Sequence, residues 1–544
     1  MGRKKLALLG AIGAAGAVVV SGTVPAVAGA APGASSIALP DVPSANAKSA
    51  GYAPVSRLSA ELAQIAVAQG STRLENPSAL TSYYGYDNDV LGPAGQPQML
   101  PLPGSSTEAQ KTEPDKNTYL VFRHGLAGAA AGYDYGTHFL FQGHEGGAGG
   151  AGYITRINLD ADAAHRVTLL ATADSGGHPI STIDGSTWDP WAQRLLFTTE
   201  NEKAPTYAAT PGFPSTVTDV SGALGRGGYE GIQDDSAGNI WIVEDIGGDF
   251  KGDTKAKRPN SFVYRYVPAR PGDLSHGKLQ ALQVLNASGA PLTFESQAAL
   301  NSPDQVALHT YGRTFKTRWV TVHDTAKNGA SPFDANVAAK AAHATPFKRP
   351  ENGQFQPGSG FTAFYFDETG DTDATSPENA MSGGWGSIMK LTQDNPAAST
   401  GTLTMFYKSD QAHSGLDNVA FLSRTVVAFV EDAGDTLHTQ RNALDSGYAF
   451  DTTTDYSNPA AQPVRWLAEG RDASATIDSA FSGFGKNEGD NEITGVHVSD
   501  GDPGVGGILG AKVPHLSDPR WRWFYTQQHG DNTTWQVVLT RRGG

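Results

Sequence analysis

Apolar residues in this chain fall into short runs set off by Gly, Asp, Asn and Pro. Tyr119–Phe122, His138–Phe141, Ile240–Val243, Phe262–Val267, Trp319–Val322 and Val426–Val430 are of this kind. Such runs, rich in Val, Ile, Phe and Tyr and bounded by turn formers, predict strands. One segment differs. Val55 to Ala68 carries apolar residues at roughly helical spacing and predicts a short helix. Helical patterns are otherwise rare.

The strand pattern repeats with an acidic signature. Tyr229-Glu230-Gly231 opens a run that turns at Ser236-Ala237-Gly238-Asn239 and returns through Ile240–Val243 to Glu244-Asp245. Leu416-Asp417-Asn418 opens another, which returns through Val426–Val430 to Glu431-Asp432. In both, an acid begins one strand, a hairpin follows, and an acidic pair ends the return strand. Looser copies run from Trp188-Asp189 to Glu200, from Glu351 to Asp367-Glu368, and from Asn491-Glu492 to Gln527-Gln528. His138 to Glu145 supplies a further strand ending in an acid.

Several copies are separated by the ~40–50 residues expected of a four-stranded propeller blade. The expected fold is all-β, a β-propeller of about six blades with long inter-blade insertions. Radial repetition leaves few open sheet edges. In a hairpin, the start of one strand and the end of the next share one end. Each blade's acids should therefore meet at one mouth of the central channel.

The N-terminus adds an export signal to this picture. Arg3, Lys4 and Lys5 precede an apolar run from Leu6 to about Val20, and Ala26-Val27-Ala28-Gly29-Ala30 offers small residues for cleavage. The division expected is 1–30 signal peptide, 31–75 flexible leader with the short helix, and 76–544 propeller. The Ala-, Pro-, Ser- and Gly-rich stretch from 29 to about 50 predicts disorder. No later stretch is apolar and long enough for a bilayer, so the mature chain should be a secreted or wall-associated monomer without stable membrane insertion.

Charge and cysteine content narrow the chemistry. The net charge is −15 and the pI about 5.4, which argues against nucleic acid as a partner. There are no cysteines, so disulfides cannot contribute. Carboxylates gathered at one mouth raise each other's pKa and destabilise the fold unless cations join them. Oxygen ligands suit calcium, magnesium or manganese, and iron is compatible with carboxylates. The candidate ligands are Glu145, Glu200, Glu230, Glu244, Asp245, Glu351, Asp417, Glu431, Asp432 and Glu492. Acids after strands also serve as turn and capping residues, so the repeat carries more weight than any single acid. Asp249, Asp253, Asp371 and Asp373, in glycine-rich loops, read as solvated or as side calcium sites.

A cluster of this kind suits phosphate-ester hydrolysis, with metals neutralising phosphoryl oxygens. Arg349, two residues before Glu351, is placed to add a bidentate phosphate contact. No G-x-S-x-G elbow, P-loop or H-E-x-x-H occurs. His144, His323, His413, His497 and His529 show no ligand spacing.

These residues resemble the PhoX-type alkaline phosphatases of bacteria. Tyr84-Gly85-Tyr86-Asp87-Asn88-Asp89 is similar to that family's N-terminal segment, and Gly143-His144-Glu145 to its N-H-E. Tyr229-Glu230-Gly231 through Glu244-Asp245 and Val263–Pro268, then Phe347–Glu351, Leu416–Asn418 through Glu431-Asp432, and Asn491-Glu492 through Gln528 follow in the family's order. The resemblance implies a propeller holding calcium ions and a carboxylate-held iron pair, acting on small phosphorylated substrates as phosphate monoesters. By position it implies Glu200, Glu230 and Glu351 on the catalytic metals and Arg349 on phosphate. Glu145, Asp417, Asn418, Glu431 and Glu492 join the metal ligands. The family bridges its irons with a cysteine that this chain lacks, and Asp184 is the oxygen ligand expected in its place. The expected cofactors are Ca2+ and possible Fe3+ or another transition metal. Two other classes fit the pattern: a non-catalytic calcium propeller binding a ligand or wall component, and a calcium-dependent propeller esterase or lactonase.

Overall fold

A computed structural model describes residues 38–540 apart from 51–54, 100–106, 147–150, 250–255, 295–301, 372–379, 471–491 and 529–531. The expected signal peptide, Asp253, Asp373, Asn491 and His529 lie outside the described residues. Among the described residues, no helix is long and apolar enough to cross a membrane.

Among the described residues, six antiparallel blades built on four strands are present, five of them consecutive along the chain and the sixth completed by an early strand. Blade 1 is Thr118–Val121, His138–His144, Tyr153–Asn158 and Val167–Ala171. Blade 2 is Ser186–Asp189, Arg194–Phe197, Tyr207–Ala209 and Val217–Asp219. Blade 3 is Tyr229–Asp234, Ile240–Glu244, Val263–Pro268 and Gly277–Leu285. Blade 4 is Gly353–Phe355, Ala363–Glu368, Ser387–Thr392 and Thr400–Lys408. Blade 5 is Leu416–Phe421, Val426–Glu431, Ser446–Asp451 and Val464–Ala468, with Arg57–Leu58 on its outer edge. Blade 6 is Glu492–Ser499, Arg522–Gln528 and Thr533–Leu539, completed by Leu62–Ala68.

The first strand of each blade touches the first strand of the next, and blade 6 returns to blade 1. That closed ring is a β-propeller. An extra long strand, Thr314–Asp324, pairs with the outer strands of blades 3 and 4 and fuses them into one nine-stranded sheet. It contains the predicted run Trp319–Val322. The core lies between blades. Leu196 and Ala208 of blade 2 share a buried cluster with Tyr229, Ile232 and Ile242 of blade 3. Ala420 and Val430 of blade 5 do so with Val496 and Tyr525 of blade 6.

Two expectations at the N-terminal side are corrected. The segment expected as a helix is strand: Leu62–Ala68 pairs with Thr533–Leu539 in register from Leu62↔Leu539 to Ala68↔Thr534. The sequence Leu-Ala-Gln-Ile-Ala-Val-Ala satisfies either period, and the open edge of a three-stranded blade decides it. The propeller therefore begins well before residue 76. The stretch expected to be disordered is also partly ordered, from residue 38 to 49. Val42 donates its main-chain N–H to Arg465 O and accepts from the Arg465 guanidinium. Asn46 O accepts from Leu444 N, and the Asn46 amide reaches Glu469 O.

Candidate metal centre

In each blade the first strand starts, and the second strand ends, at the same mouth of the channel. A cavity of about 270 Å³ opens there. Its walls carry eleven carboxylates: Glu113, Asp115, Glu145, Asp184, Glu200, Glu230, Asp245, Glu351, Asp417, Asp432 and Glu492. One guanidinium, Arg349, joins them, with Gln528 and Gly434.

Local backbone irregularities aim these groups. The register of the first strand slips between Tyr229 and Ile232, between Leu416 and Val419, and between Thr494 and His497. Such bulges redirect side chains near functional sites. In blades 3 and 5 they turn Glu230 and Asp417 inward. Close main-chain approach then brings neighbouring acids together. A Cβ on Gly185 would lie 2.1 Å from Glu230 O, and one on Gly231 2.9 Å from Asn352 Cα, so only glycine fits either place. Gly231 N donates to Glu351 O at 2.7 Å, which joins the acid-bearing strands of blades 3 and 4.

Three groups of carboxylates have oxygens within 4.8 Å of one another: Glu145, Asp184 and Glu200; Asp115, Asp184 and Glu230; and Glu230, Glu351 and Asp417. Asp184 belongs to the first two and Glu230 to the last two. The groups thus form a chain linked through shared carboxylates. Burial pushes Glu145, Asp184, Glu230, Glu351, Asp417 and Glu492 well above the usual carboxylate range, and the neighbouring negative charges add to it. Cations at these oxygens remove that penalty. The donor set is all oxygen, which fits hard cations of the calcium, magnesium or manganese kind and also ferric iron.

Two protein cations lie within the cluster. Lys116 is buried beneath it, with Nζ donating to Asn418 Oδ1 at 2.9 Å and Val496 O at 3.1 Å. Burial draws its pKa down to about 8, while Asp417, Asp115, Asp367 and Asp184 work to keep it protonated. Arg349 sits on the rim. Its Nε donates to Asp245 Oδ1 and Nη2 to Asp245 Oδ2, both at 2.7 Å, a bidentate fork. Glu351 Oε1 lies 3.3 Å from Nη2. The backbone of Arg349 has φ +57°, a left-handed conformation that costs a side-chain-bearing residue energy.

Of the sequence candidates, Glu145, Asp184, Glu200, Glu230, Asp245, Arg349, Glu351, Asp417, Asp432 and Glu492 come together here. Three do not. Glu244 and Glu431 are the first members of their acidic pairs, and alternation along the strand turns them away from the channel. Glu244 accepts from Phe262 N, Tyr264 Oη and Asn336 Nδ2. Glu431 is held by Arg441, Ser414 N and Ser446 N. Asn418 lies one layer below, donating to Asp417 Oδ1 at 2.8 Å and Thr494 Oγ1 at 3.0 Å. Asp371 is not solvated; it is buried, accepting from Lys348 Nζ at 2.8 Å. Asp249 is exposed and paired with Arg258.

Sequence reading passed over Glu113, Asp115 and Lys116, and noted Asp367 in a repeat copy without counting it among the candidate ligands. Asp115 accepts from Thr494 Oγ1 at 2.6 Å and from Gln528 Nε2 at 3.1 Å. Gln528 also reaches Glu145 Oε1 at 3.0 Å, tying blade 6 to blade 1. The available signal was Asp115 opening the strand that precedes His138–His144, the same acid-hairpin-acid order seen in blades 3 and 5.

The family model described as alkaline phosphatase PhoX matches residues 232–503, half of the chain. The chain belongs to the PhoX alkaline phosphatase family. No curated protein matches it. Among solved structures it is similar to virginiamycin B lyase of Staphylococcus aureus, at 12% identity and a TM-score of 0.32 over 82% of this chain and 99% of that one. It is also similar to Sqt1 of Saccharomyces cerevisiae, at 8% identity and 0.30 over 79% and 100%. The PhoX match runs from Ile232, within the first strand of blade 3, through blades 4 and 5 and the first strand of blade 6; it includes Asp245, Arg349, Glu351, Asp417, Asp432 and Glu492 and stops short of Glu230.

Proposed function

We propose that this PhoX-family chain is an exported, metal-dependent phosphatase that hydrolyses small phosphate monoesters in the carboxylate cavity. The observation that carries this reading is the chain of acid groups sharing Asp184 and Glu230, next to one guanidinium, in a member of a phosphatase family. Glu145, Asp184, Glu200, Asp115, Glu230, Glu351 and Asp417 would hold the cations. When bound, these cations supply charge neutralisation for phosphoryl oxygens and an acidified water. Asp184 takes the place of the family's cysteine with an oxygen donor, which shifts the preference toward hard cations.

The protein's own groups orient the substrate. Arg349 already presents a fork to two oxygens of Asp245. A phosphoryl group offers the same pair of acceptors, so the guanidinium exchanges one for the other without losing its geometry. Glu351 keeps Nη2 turned toward the cavity. Gln528 fixes Asp115 and Glu145 relative to each other. Export rests on the basic and apolar N-terminal pattern with its small-residue cleavage site.

The test is release of p-nitrophenol from its phosphate monoester and diester, with calcium, with iron or manganese, and with chelator. Chelator-sensitive monoester turnover that is lost in Glu351→Ala and Arg349→Ala is the expected result. A chelator that lowers the melting temperature of a protein inactive under every metal overturns it in favour of a calcium-stabilised binding propeller. Turnover of lactones alone overturns it in favour of an esterase.

A further inference from the structure

Strand Tyr229–Asp234 has Glu230 at the cavity end and Asp234 at the other. Asp234 is 1% exposed, and among the described residues neither of its carboxylate oxygens has a hydrogen-bond partner. A buried carboxylate is normally satisfied, as an acceptor when charged or as a donor when neutral. Among the described residues neither is offered, an arrangement that suits a bound cation.

The groups facing Asp234 follow from the strand faces. Ile232, two residues earlier, packs in the buried cluster with Leu196 and Ala208 of blade 2. Gln233, between them, points the other way and accepts from Phe355 N of blade 4. Asp234 therefore faces blade 2. On blade 2, Trp188 packs edge-on against Phe122 on the blade 1 side. Its neighbour Asp189 faces the opposite way, toward blade 3, and is also 1% exposed. Gly185 abuts Glu230, and Asp189 and Asp234 each lie four residues further along.

Asp189 uses Oδ1 for its own turn, accepting from Trp191 N at 2.8 Å and Ala192 N at 2.9 Å. Its other oxygen makes no such contact to the turn. Asp235 is committed: it accepts from Asn239 Nδ2 and Trp241 Nε1, both at 2.8 Å. The main chain at Gly272 of blade 3 closes over Trp191 and Ala192.

We propose that Asp189 and Asp234 hold a structural divalent cation of the calcium class, at the end of blades 2 and 3 away from the cavity. Burial pushes the Asp234 carboxyl well up, with the charges of Asp189 and Asp235 adding to it. A calcium shell takes six to eight oxygens, and water can fill the positions the two carboxylates leave. The site locks blade 2 to blade 3 and is independent of the phosphatase reading.

Calcium bound per chain is counted by mass spectrometry after equilibrium dialysis, for wild type, Asp234→Asn, Asp189→Asn and Glu351→Gln. The expected result is one ion fewer in either Asp variant, with part of the calcium-dependent rise in melting temperature lost and the cavity ions kept. Glu351→Gln should lose cavity calcium only. A wild-type calcium count in Asp234→Asn, or an equal melting response to calcium, overturns the site. Wild-type crystals grown in calcium decide the matter even if a variant fails to fold: an ion between Asp189 and Asp234 supports the site, and a water or nothing there overturns it.

Discussion

Lys116 Nζ donates to Asn418 Oδ1, and Asn418 passes the contact on to Asp417 and, through Thr494, to Asp115. One ammonium thus supports two acids of the carboxylate cluster from below. Removing a buried charge and leaving its partners costs about 3–5 kcal/mol. Lys116→Met should therefore lower stability by that order in chelator, measured by urea unfolding. An unchanged midpoint would show that the ammonium does not hold the inner acids.

Arg349 binds Asp245 through charged, parallel hydrogen bonds. Such bonds contribute about 1.5–3 kcal/mol each. Arg349→Lys keeps the charge and loses the fork. It should lower kcat/KM for a phosphomonoester by about 10- to 100-fold, with the calcium-dependent melting temperature nearly unchanged. Equal kcat/KM in wild type and variant would remove Arg349 from substrate binding.

Shared and unshared carboxylates should respond differently to metal removal. Asp184 serves two of the acid groups and Glu200 one. A cation at 100 times its dissociation constant stabilises the fold by about 2.7 kcal/mol. Asp184→Asn should thus lose more of the calcium-dependent rise in melting temperature than Glu200→Gln. Calorimetry across a calcium series checks the order, and the reverse order would contradict the shared-ligand arrangement.

His438 and Asp445 form a buried ion pair at 2.9 Å, away from the cavity. Burial opposes the proton on His438, but Asp445 outweighs it and pushes the pKa up to about 9. The folded value lies above the unfolded value of about 6.5. This stabilisation is complete below pH 6.5 and is lost as pH rises through 9. The full effect is about 3 kcal/mol. His438→Gln should flatten the fall in unfolding free energy between pH 6.5 and 9.5, measured by denaturant titration.

The sequence made the ring of acids legible because each blade repeats its pair at one position relative to its strands. It did not reveal which member of a pair faces the channel. Glu244 and Asp245 are both acidic, and only strand register separates a group whose Oε2 is held by Phe262 N and Asn336 from one that meets Arg349. Asp115 and Lys116 escaped notice because they precede a strand of only four residues, Thr118–Val121, whose hairpin partner begins at His138. The strand Leu62–Ala68 was read as helix because its partner lies more than 450 residues away, where no local pattern reports it.

That partnership also governs when the molecule can become whole. The cavity draws groups from all six blades, and the sixth is finished by pairing the chain's early strand with its last one. Without Thr533–Leu539, Leu62–Ala68 has no strand to pair with, and blade 6, which supplies Glu492 and Gln528 to the cavity, is left incomplete. On the proposed function, completion of the cation-binding ring depends on residues near both ends of the described chain.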